Sequence, residues 1–328
     1  LPMKNEIHSK IRNSLIQSAQ QSSHSIAFPD ALDIRVLEAA NVIYQQKLGN
    51  AVLIGKRQDI ENLANIHGID IQNIEIRDPE LSITEEYVSS LMLSHSGIES
   101  ETEARKLLLN PLYFAGIAVK NGDFHGCVAG NISTTGDVIK AGLKTVGLAE
   151  GINTVSSFFV MTFPEYVLFY ADCAVVPSPT VEQLSDIAAM TAVHYKKLTN
   201  NNPKVAFLSF STKGSSAHQD AKKVNDAYTL FTSKYPHIIS DGELQLDAAL
   251  IPQIAQKKAP ESPLSGDANI LIFPDLDAGN IAYKISERLA GASAIGPIVQ
   301  GLNKPYCDLS RGCSMEDIID VALICMSM

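Results

Sequence analysis

An alternation near the start of the chain constrains the fold more than any other feature. Ser25-Ile-Ala-Phe28 is a short apolar run ended by Pro29-Asp30. Arg35, Leu37, Ala40, Val42 and Ile43 then follow at helical spacing, and Ala51-Val-Leu-Ile54 is a second apolar run closed by Gly55. Strand, helix and strand in that order need a crossover, so the two strands lie parallel in one sheet flanked by helices. The pattern continues with a helix over 60–67 and a strand at 74–76. Helices at 84–93, 100–109 and 113–120 lead to a strand at 126–130 and an amphipathic helix over 138–146.

Leu148-Ala-Glu-Gly151 reads as a linker. Beyond it, 154–161 and 168–176 are strand-like, the second holding Asp172 and ended by Pro177 and Pro179. A long helix over 181–198 follows, then a strand at 205–210, a Ser/Thr/Gly loop and a helix to about Lys234. Strands at 237–239 and 269–273 and a helix over 281–289 complete the regular elements, with no internal repeat. A length of 328 residues exceeds one ordinary core and points to two α/β domains.

Composition narrows the function classes. With 45% hydrophobic and 19% charged residues the chain reads as a soluble globular protein. A net charge of −10 opposes a nucleic-acid surface, which needs a basic stripe. It also means that an anionic substrate requires a locally positive pocket. Five scattered cysteines without a Cys-x-x-Cys pair fit free thiols in a reducing cytoplasm. Eight dispersed histidines give no metal-ligand spacing, and Walker, dinucleotide and His-Glu-x-x-His motifs are absent. No apolar run is long enough to span a bilayer, which predicts no membrane partner. Leu1 and Pro2 ahead of Met3 read as a cloning remnant and are set aside.

Two stretches carry candidate chemistry. Asp308-Leu-Ser-Arg-Gly-Cys-Ser-Met-Glu-Asp317 follows a Gly/Pro-rich approach from Gly296 to Pro305 and precedes a helix-periodic run. Ser314 with Asp317 three residues on is an N-cap signal. Arg311 supplies a fixed fork of donors and Ser310 a hydroxyl beside a helix start, a seat for an anion. On residue type alone the same stretch also reads as a capped surface loop. Ser133-Thr-Thr-Gly-Asp137 likewise lies between a strand and a helix, as a phosphoryl cradle or simply an N-cap cluster.

The Asp308–Ser314 segment resembles the C-terminal signature of the phosphate acetyltransferase (phosphotransacetylase) family. So do Lys204-Val-Ala-Phe-Leu-Ser-Phe-Ser-Thr-Lys-Gly-Ser215, Asp241-Gly-Glu-Leu-Gln-Leu-Asp-Ala-Ala249, Phe273-Pro-Asp-Leu-Asp-Ala-Gly-Asn-Ile-Ala-Tyr-Lys284 and Phe28-Pro-Asp-Ala-Leu-Asp-Ile-Arg35. Five motifs in family order cover nearly the whole chain and are similar above all to the ethanolamine-utilisation branch. The resemblance implies a two-lobed α/β fold of the isocitrate/isopropylmalate dehydrogenase type, with parallel or mixed sheets flanked by helices and an active-site cleft between lobes. It places 1–150 with 296–328 in the first domain and inserts 151–295 as the second. It implies reversible acetyl transfer between acetyl phosphate and coenzyme A, giving acetyl-CoA and phosphate, by direct thiol attack in a ternary complex. Coenzyme A and acetyl phosphate are then substrates, no cofactor is needed, and a homodimer is expected.

The resemblance also distributes roles. Arg311 holds the phosphate and stabilises developing charge, Ser310 donates a hydrogen bond, and Asp317 is the base for the thiol. Arg35 contacts the 3′-phosphate of coenzyme A. Ser133, Thr134, Thr135, Lys140 and Asn280 line the substrate cleft. Two departures stand out: Lys140 takes the place of a family arginine, and Leu93-Ser-His-Ser-Gly97 replaces a cation-rich Arg-Lys-His-Lys-Gly. Lysine keeps the charge but not the bidentate fork. Competing readings are a phosphate propanoyl- or butyryltransferase, a metal- and nicotinamide-dependent dehydrogenase of the same fold, and a catalytically weak coenzyme-A-binding scaffold.

Overall fold

The computed structural model of the chain describes residues 6–94 and 97–328. His95 and Ser96, the centre of the altered cation-rich motif, lie outside the described residues. The chain opens with α1 (Glu6–Ser22), β1 (Ser25–Phe28), α2 (Ile34–Gln45), β2 (Asn50–Ile54), α3 (Arg57–His67) and β3 (Glu75–Arg77). It goes on through α4 (Pro79–Ser82), α5 (Glu85–Ser94), α6 (Glu101–Leu108), α7 (Pro111–Asn121), β4 (Gly126–Ala129) and α8 (Thr135–Thr145). Then come β5 (Ser156–Thr162), β6 (Val167–Ala171), α9 (Val181–Thr199), β7 (Lys204–Leu208), α10 (Gln219–Lys234) and β8 (Ile239–Leu244). After α11 (Leu246–Leu250), α12 (Pro252–Lys258), β9 (Ile270–Ile272), α13 (Leu276–Arg288) and β10 (Ser293–Gln300), the chain ends with β11 (Tyr306–Asp308) and α14 (Met315–Ser327).

Two compact units divide at Ile11/Arg12, at Glu150/Gly151 and again at Gly301/Leu302, the described residues before Arg12 grouping with Gly151–Gly301. The first, Arg12–Glu150 with Leu302–Met328, is built on a five-stranded sheet in the order β11-β4-β1-β2-β3. Every pairing in it is parallel. Strands β1, β2 and β4 are short, apolar and largely buried on both faces, as a helix-covered parallel sheet requires, whereas the edge strand β3 exposes Glu75 and Arg77. In α2 the Asp33 carboxylate caps the helix by accepting from the Arg35 N–H at 2.8 Å. Val36, Leu37, Ala40 and Ile43 turn its apolar stripe inward. Closing the chain, α14 is buried from Ile318 to Met326, and its one charge within that span, Asp320, pairs with Arg12 at 2.5 Å.

The second unit, Gly151–Gly301, carries a six-stranded mixed sheet in the order β10-β5-β6-β9-β7-β8. Here β10 and β6 run antiparallel to β5, and the other pairs are parallel. Three stretches differ from the sequence reading. Residues 296–300, expected to begin the return to the first domain, belong to β10 and pair with β5 of the second unit. Gly296-Pro297 hid that strand; the pair sits in a register shift between Ile295 and Ile298, where a proline without an N–H is tolerated. Strand β6 stops at Ala171, because Asp172 turns the chain by accepting the N–H groups of Ala174 and Val176 at 3.0 and 2.6 Å. Finally, β8 runs through Asp241-Gly-Glu243 rather than over 237–239. Among the described residues no helix is long and apolar enough to cross a membrane.

Candidate active site

In the first sheet the chain runs outward from β1 in both directions, to β2 and β3 on one side and to β4 and β11 on the other. That makes β1/β4 the switch point, outside whose carboxyl ends ligands bind in open α/β sheets. The turns leaving β1, β4 and β11 meet there, and they hold most of the residues singled out in the sequence. Parallel strands cannot be joined by tight hairpins, so each turn feeds a helix and presents that helix's N-terminus on the same edge.

The turn after β1 contributes two carboxylates and a guanidinium. Asp30 is buried; its Oδ2 accepts the N–H groups of Gly130, Ile132 and Ser133 at 2.8, 3.1 and 3.1 Å. Its Oδ1 accepts the Ser133 hydroxyl at 2.5 Å. Asp33 accepts from Arg35 and, at 3.1 Å, from Asn131 Nδ2. Burial alone would raise the Asp33 pKa, but these hydrogen bonds and the Arg35 charge hold it below the usual carboxylate value.

Arg35, expected to contact the 3′-phosphate of coenzyme A, has protein partners for its guanidinium. Nε and Nη2 donate to Asp33, Nη2 also to Asn131 O at 3.2 Å, and Nη1 to Arg311 O and Cys313 O at 3.0 and 2.6 Å. All five N–H donors therefore have protein acceptors, and a phosphate would have to displace some of them. The guanidinium is a brace that ties the three turns together.

The hydroxyls of the turn after β4, expected to line the substrate cleft, likewise have protein partners. Of its three hydroxyls, Ser133 donates to Asp30, Thr134 to Asp137 at 2.7 Å, and Thr135 to Asp308 Oδ2 at 2.7 Å. Asp30 thus takes the N–H groups of Gly130, Ile132 and Ser133 that this turn presents. Thr134 is the N-cap of α8, its Oγ1 accepting the Asp137 N–H at 3.2 Å. Further along α8, Lys140 is exposed, with no ion pair or hydrogen bond to the described residues. Gly130 has φ +105°, and a Cβ there would come within 2.2 Å of Asp308 Oδ1.

The turn after β11 is anchored by Leu309 N donating to Ala129 O at 2.7 Å and Cys313 N to Ser310 O at 2.9 Å. Ser314 and Asp317 form the expected capping box, Asp317 Oδ2 accepting the Ser314 N–H at 2.8 Å. One carboxylate oxygen of the exposed Asp317 remains outside this box. Ser310 Oγ accepts the Gly312 N–H at 3.3 Å, and its own proton has no acceptor among the described residues. The Arg311 guanidinium is exposed and unpaired there. Cys313 is buried against this turn. Burial pushes its thiol up to about 11, Arg35 offsetting this in part while Asp317 adds to it, so the thiol stays protonated at neutral pH.

Asn280 is not among the residues these turns gather. It lies on α13 in the second unit, where Nδ2 donates to Cys173 O at 3.0 Å and Oδ1 accepts from Lys284 Nζ at 2.8 Å. Leu93, at the end of α5, is 88% exposed and supplies no charge. Functionally, the switch point offers a neutralising guanidinium, a free hydroxyl and a helix N-terminus on a polar scaffold, with the exposed Lys140 further along α8. That set is suited to an oxyanion.

Comparison with known proteins decides the family. A model of the phosphate acetyl/butaryl transferase family matches residues 10–326. The chain belongs to this family. The phosphate acetyltransferase of Clostridium acetobutylicum is 44% identical over 320 residues, covering 95% of this chain and 96% of that one. The solved EutD phosphotransacetylase from Staphylococcus aureus superposes with a TM-score of 0.91 at 37% identity, over 97% of this chain and 98% of that one. A 4-hydroxythreonine-4-phosphate dehydrogenase from Burkholderia phymatum has a TM-score of 0.55 at 12% identity, over 92% and 98% of the two chains. This last likeness is one of fold alone.

In this phosphate acetyl/butaryl transferase the sequence reading passed over Asp30, Asp33, Asn131 and Asp308 as site residues, although they organise the turns. Their signal was present: each is a polar residue at or just past the end of a buried apolar strand. A polar group there is either solvated in a turn or tied to a neighbouring one, and sequence alone does not separate the two.

Proposed function

We propose that this chain catalyses reversible acetyl transfer between acetyl phosphate and coenzyme A. The observation that carries this reading is selective: nearly every polar side chain at the switch point is tied to a neighbour, while Arg311 and Lys140 remain exposed and unpaired. An anionic leaving group is what such residues complement, and the net charge of −10 makes a local positive site necessary. Arg311 holds the phosphate of acetyl phosphate and the Ser310 hydroxyl donates to oxygen where charge develops. The coenzyme A sulfur attacks the acetyl carbon as the C–O bond to phosphate breaks. The thiol proton passes to Asp317 and then to the departing phosphate. Neither an acyl-enzyme nor a metal or organic cofactor enters this scheme, and the protonated Cys313 is not a nucleophile.

Proton transfer is the demanding step. An ordinary thiol near ~8.5 and aspartate near ~3.9 differ by roughly 6 kcal/mol of proton affinity. Arg311 and Lys140 close this gap by stabilising the developing thiolate, with proton loss concerted with attack. Asp317→Asn keeps an oxygen for the Ser314 N–H, so it separates capping from base chemistry. Its turnover is expected to fall by ~10²-fold or more with little change in KM, in the range of a positioned general base. A change confined to KM would remove Asp317 from the base role.

The test of the activity itself is acetyl-CoA formation from acetyl phosphate and coenzyme A, with Arg311→Ala and Lys140→Arg beside the wild type. Robust turnover that collapses in Arg311→Ala is expected. Coenzyme A binding without turnover on acetyl, propanoyl or butyryl phosphate would identify a scaffold instead. Localisation in the cytoplasm and a homodimer belong to the same proposal. The dimer is supported by Ile281, Ile285 and Leu289, which stand 56%, 51% and 82% exposed at four-residue spacing along one face of α13.

A further inference from the structure

We propose that Asp308 is a positioning residue whose own charge state sets the affinity of the Ser310–Arg311 turn for an oxyanion. This rests on the reading of Arg311 as the phosphate-holding residue. Asp308 ends β11 two residues before Ser310, with its side chain buried. Oδ2 accepts the Thr135 hydroxyl at 2.7 Å, whereas Oδ1 has no hydrogen-bond partner among the described residues and lies against Gly130. Across the same loop sits Asp30, whose carboxylate takes four donors. One carboxylate is saturated and its neighbour is nearly bare.

A bare buried carboxylate beside an anion favours its protonated form. Burial, and then the Asp30 charge, raise Asp308 to about 7; the Thr135 bond opposes them, and so in part does the Leu309 N–H, which is already given to Ala129 O. Asp30, on the turn after β1, is the charged group acting on it among the described residues. The contact from α8 is the neutral Thr135 hydroxyl, and the titratable group of β4, Cys127, is kept neutral by burial, which pushes its thiol well above the usual value. Around neutrality Asp308 therefore changes charge two residues from Ser310 and three from Arg311. Its ionised form opposes an anion at the turn and repels Asp30 across the loop that holds Thr135. Its protonated form does neither.

Sulfate isolates the effect because it remains a dianion from pH 6 to 8. The experiment is competitive inhibition by sulfate against acetyl phosphate over that range. A unit charge and a dianion about 10 Å apart in water-like surroundings interact enough for roughly a fourfold change. The wild-type Ki is expected to rise by about that factor with an inflection near neutrality. Asp308→Asn, which imitates the protonated carboxyl, should hold the low-pH Ki throughout. Thr135→Val removes the opposing donor and should move the inflection to higher pH, an outcome that a merely structural role would not produce. It also keeps the proposal testable should the Asn variant fold poorly. A flat wild-type profile, or an Asn variant with the wild-type slope, overturns the inference. Sulfate inhibition undiminished in Arg311→Ala would instead overturn the reading of the anion site.

Discussion

At the scale of single residues, the site works by division of labour between side chains of the same type. Arg35 and Arg311 lie within hydrogen-bonding reach of one turn, yet one has five protein acceptors and the other has none among the described residues. The difference is testable with a truncated substrate. If Arg35 braces the turns, Arg35→Ala should lower kcat/KM by a similar factor with coenzyme A and with 3′-dephospho-coenzyme A. A direct contact to the 3′-phosphate would show as a loss with coenzyme A alone. Arg35→Lys should rescue poorly in either case, since an ammonium cannot reproduce a planar fork.

Asp308 also carries a stability signature separate from its effect on anions. Its proton is held more tightly in the folded chain, with a rise from the usual 3.8 to about 7. Folding then loses stability as pH rises from about 4 to about 7, and the loss is complete above that. Asp308→Asn lacks the term. It should melt higher than the wild type at pH 8, by on the order of 3–4 kcal/mol at most, with the gap shrinking steadily toward pH 5. A constant offset across pH would show that Asp308 does not titrate in this range.

At the scale of elements, the three turns are set by backbone geometry as much as by side chains. Gly130 leaves β4 at φ +105°, and a Cβ there would lie 2.2 Å from Asp308 Oδ1 and 2.6 Å from Leu309 N. Both strain and overlap oppose any side chain. Gly130→Ala should therefore cost roughly 2–3 kcal/mol and reduce turnover by displacing the turn after β11. Thermal melts and kcat together check this, and unchanged activity in a destabilised variant would uncouple the two turns. The elements themselves were largely legible. Helix α14 was signalled by its capping box and apolar run, and β1, α2 and β2 by period and punctuation. Two edge strands were less so: β10 of the second sheet contains a Gly-Pro pair, and β11 of the first is only three residues long. Such strands exist through their neighbours rather than through their own propensity.

At the scale of the whole molecule, the exposed stripe of α13 bears on assembly. Ile281, Ile285 and Leu289 would bury apolar area against a second copy, each worth about 1.5–3 kcal/mol when fully covered. Ile285→Asp places a charge in that stripe and should yield a monomer by light scattering with the fold intact by circular dichroism. A variant that remains dimeric would put the interface elsewhere.

The sequence by itself determined the α/β alternation, the parallel first sheet, the family and the segment that carries Ser310, Arg311 and Asp317. These follow from periodicity, caps and contiguous motifs, all of which are local. Only the tertiary structure decided which polar groups are free. Asp30 lies 100 residues from Gly130 and Arg35 lies 278 from Cys313. A hydroxyl or guanidinium looks the same in sequence whether its partner is a substrate or a carboxylate brought beside it by strand order. The partner is settled when β1, β4 and β11 become neighbours, and with it the separation of scaffold from site.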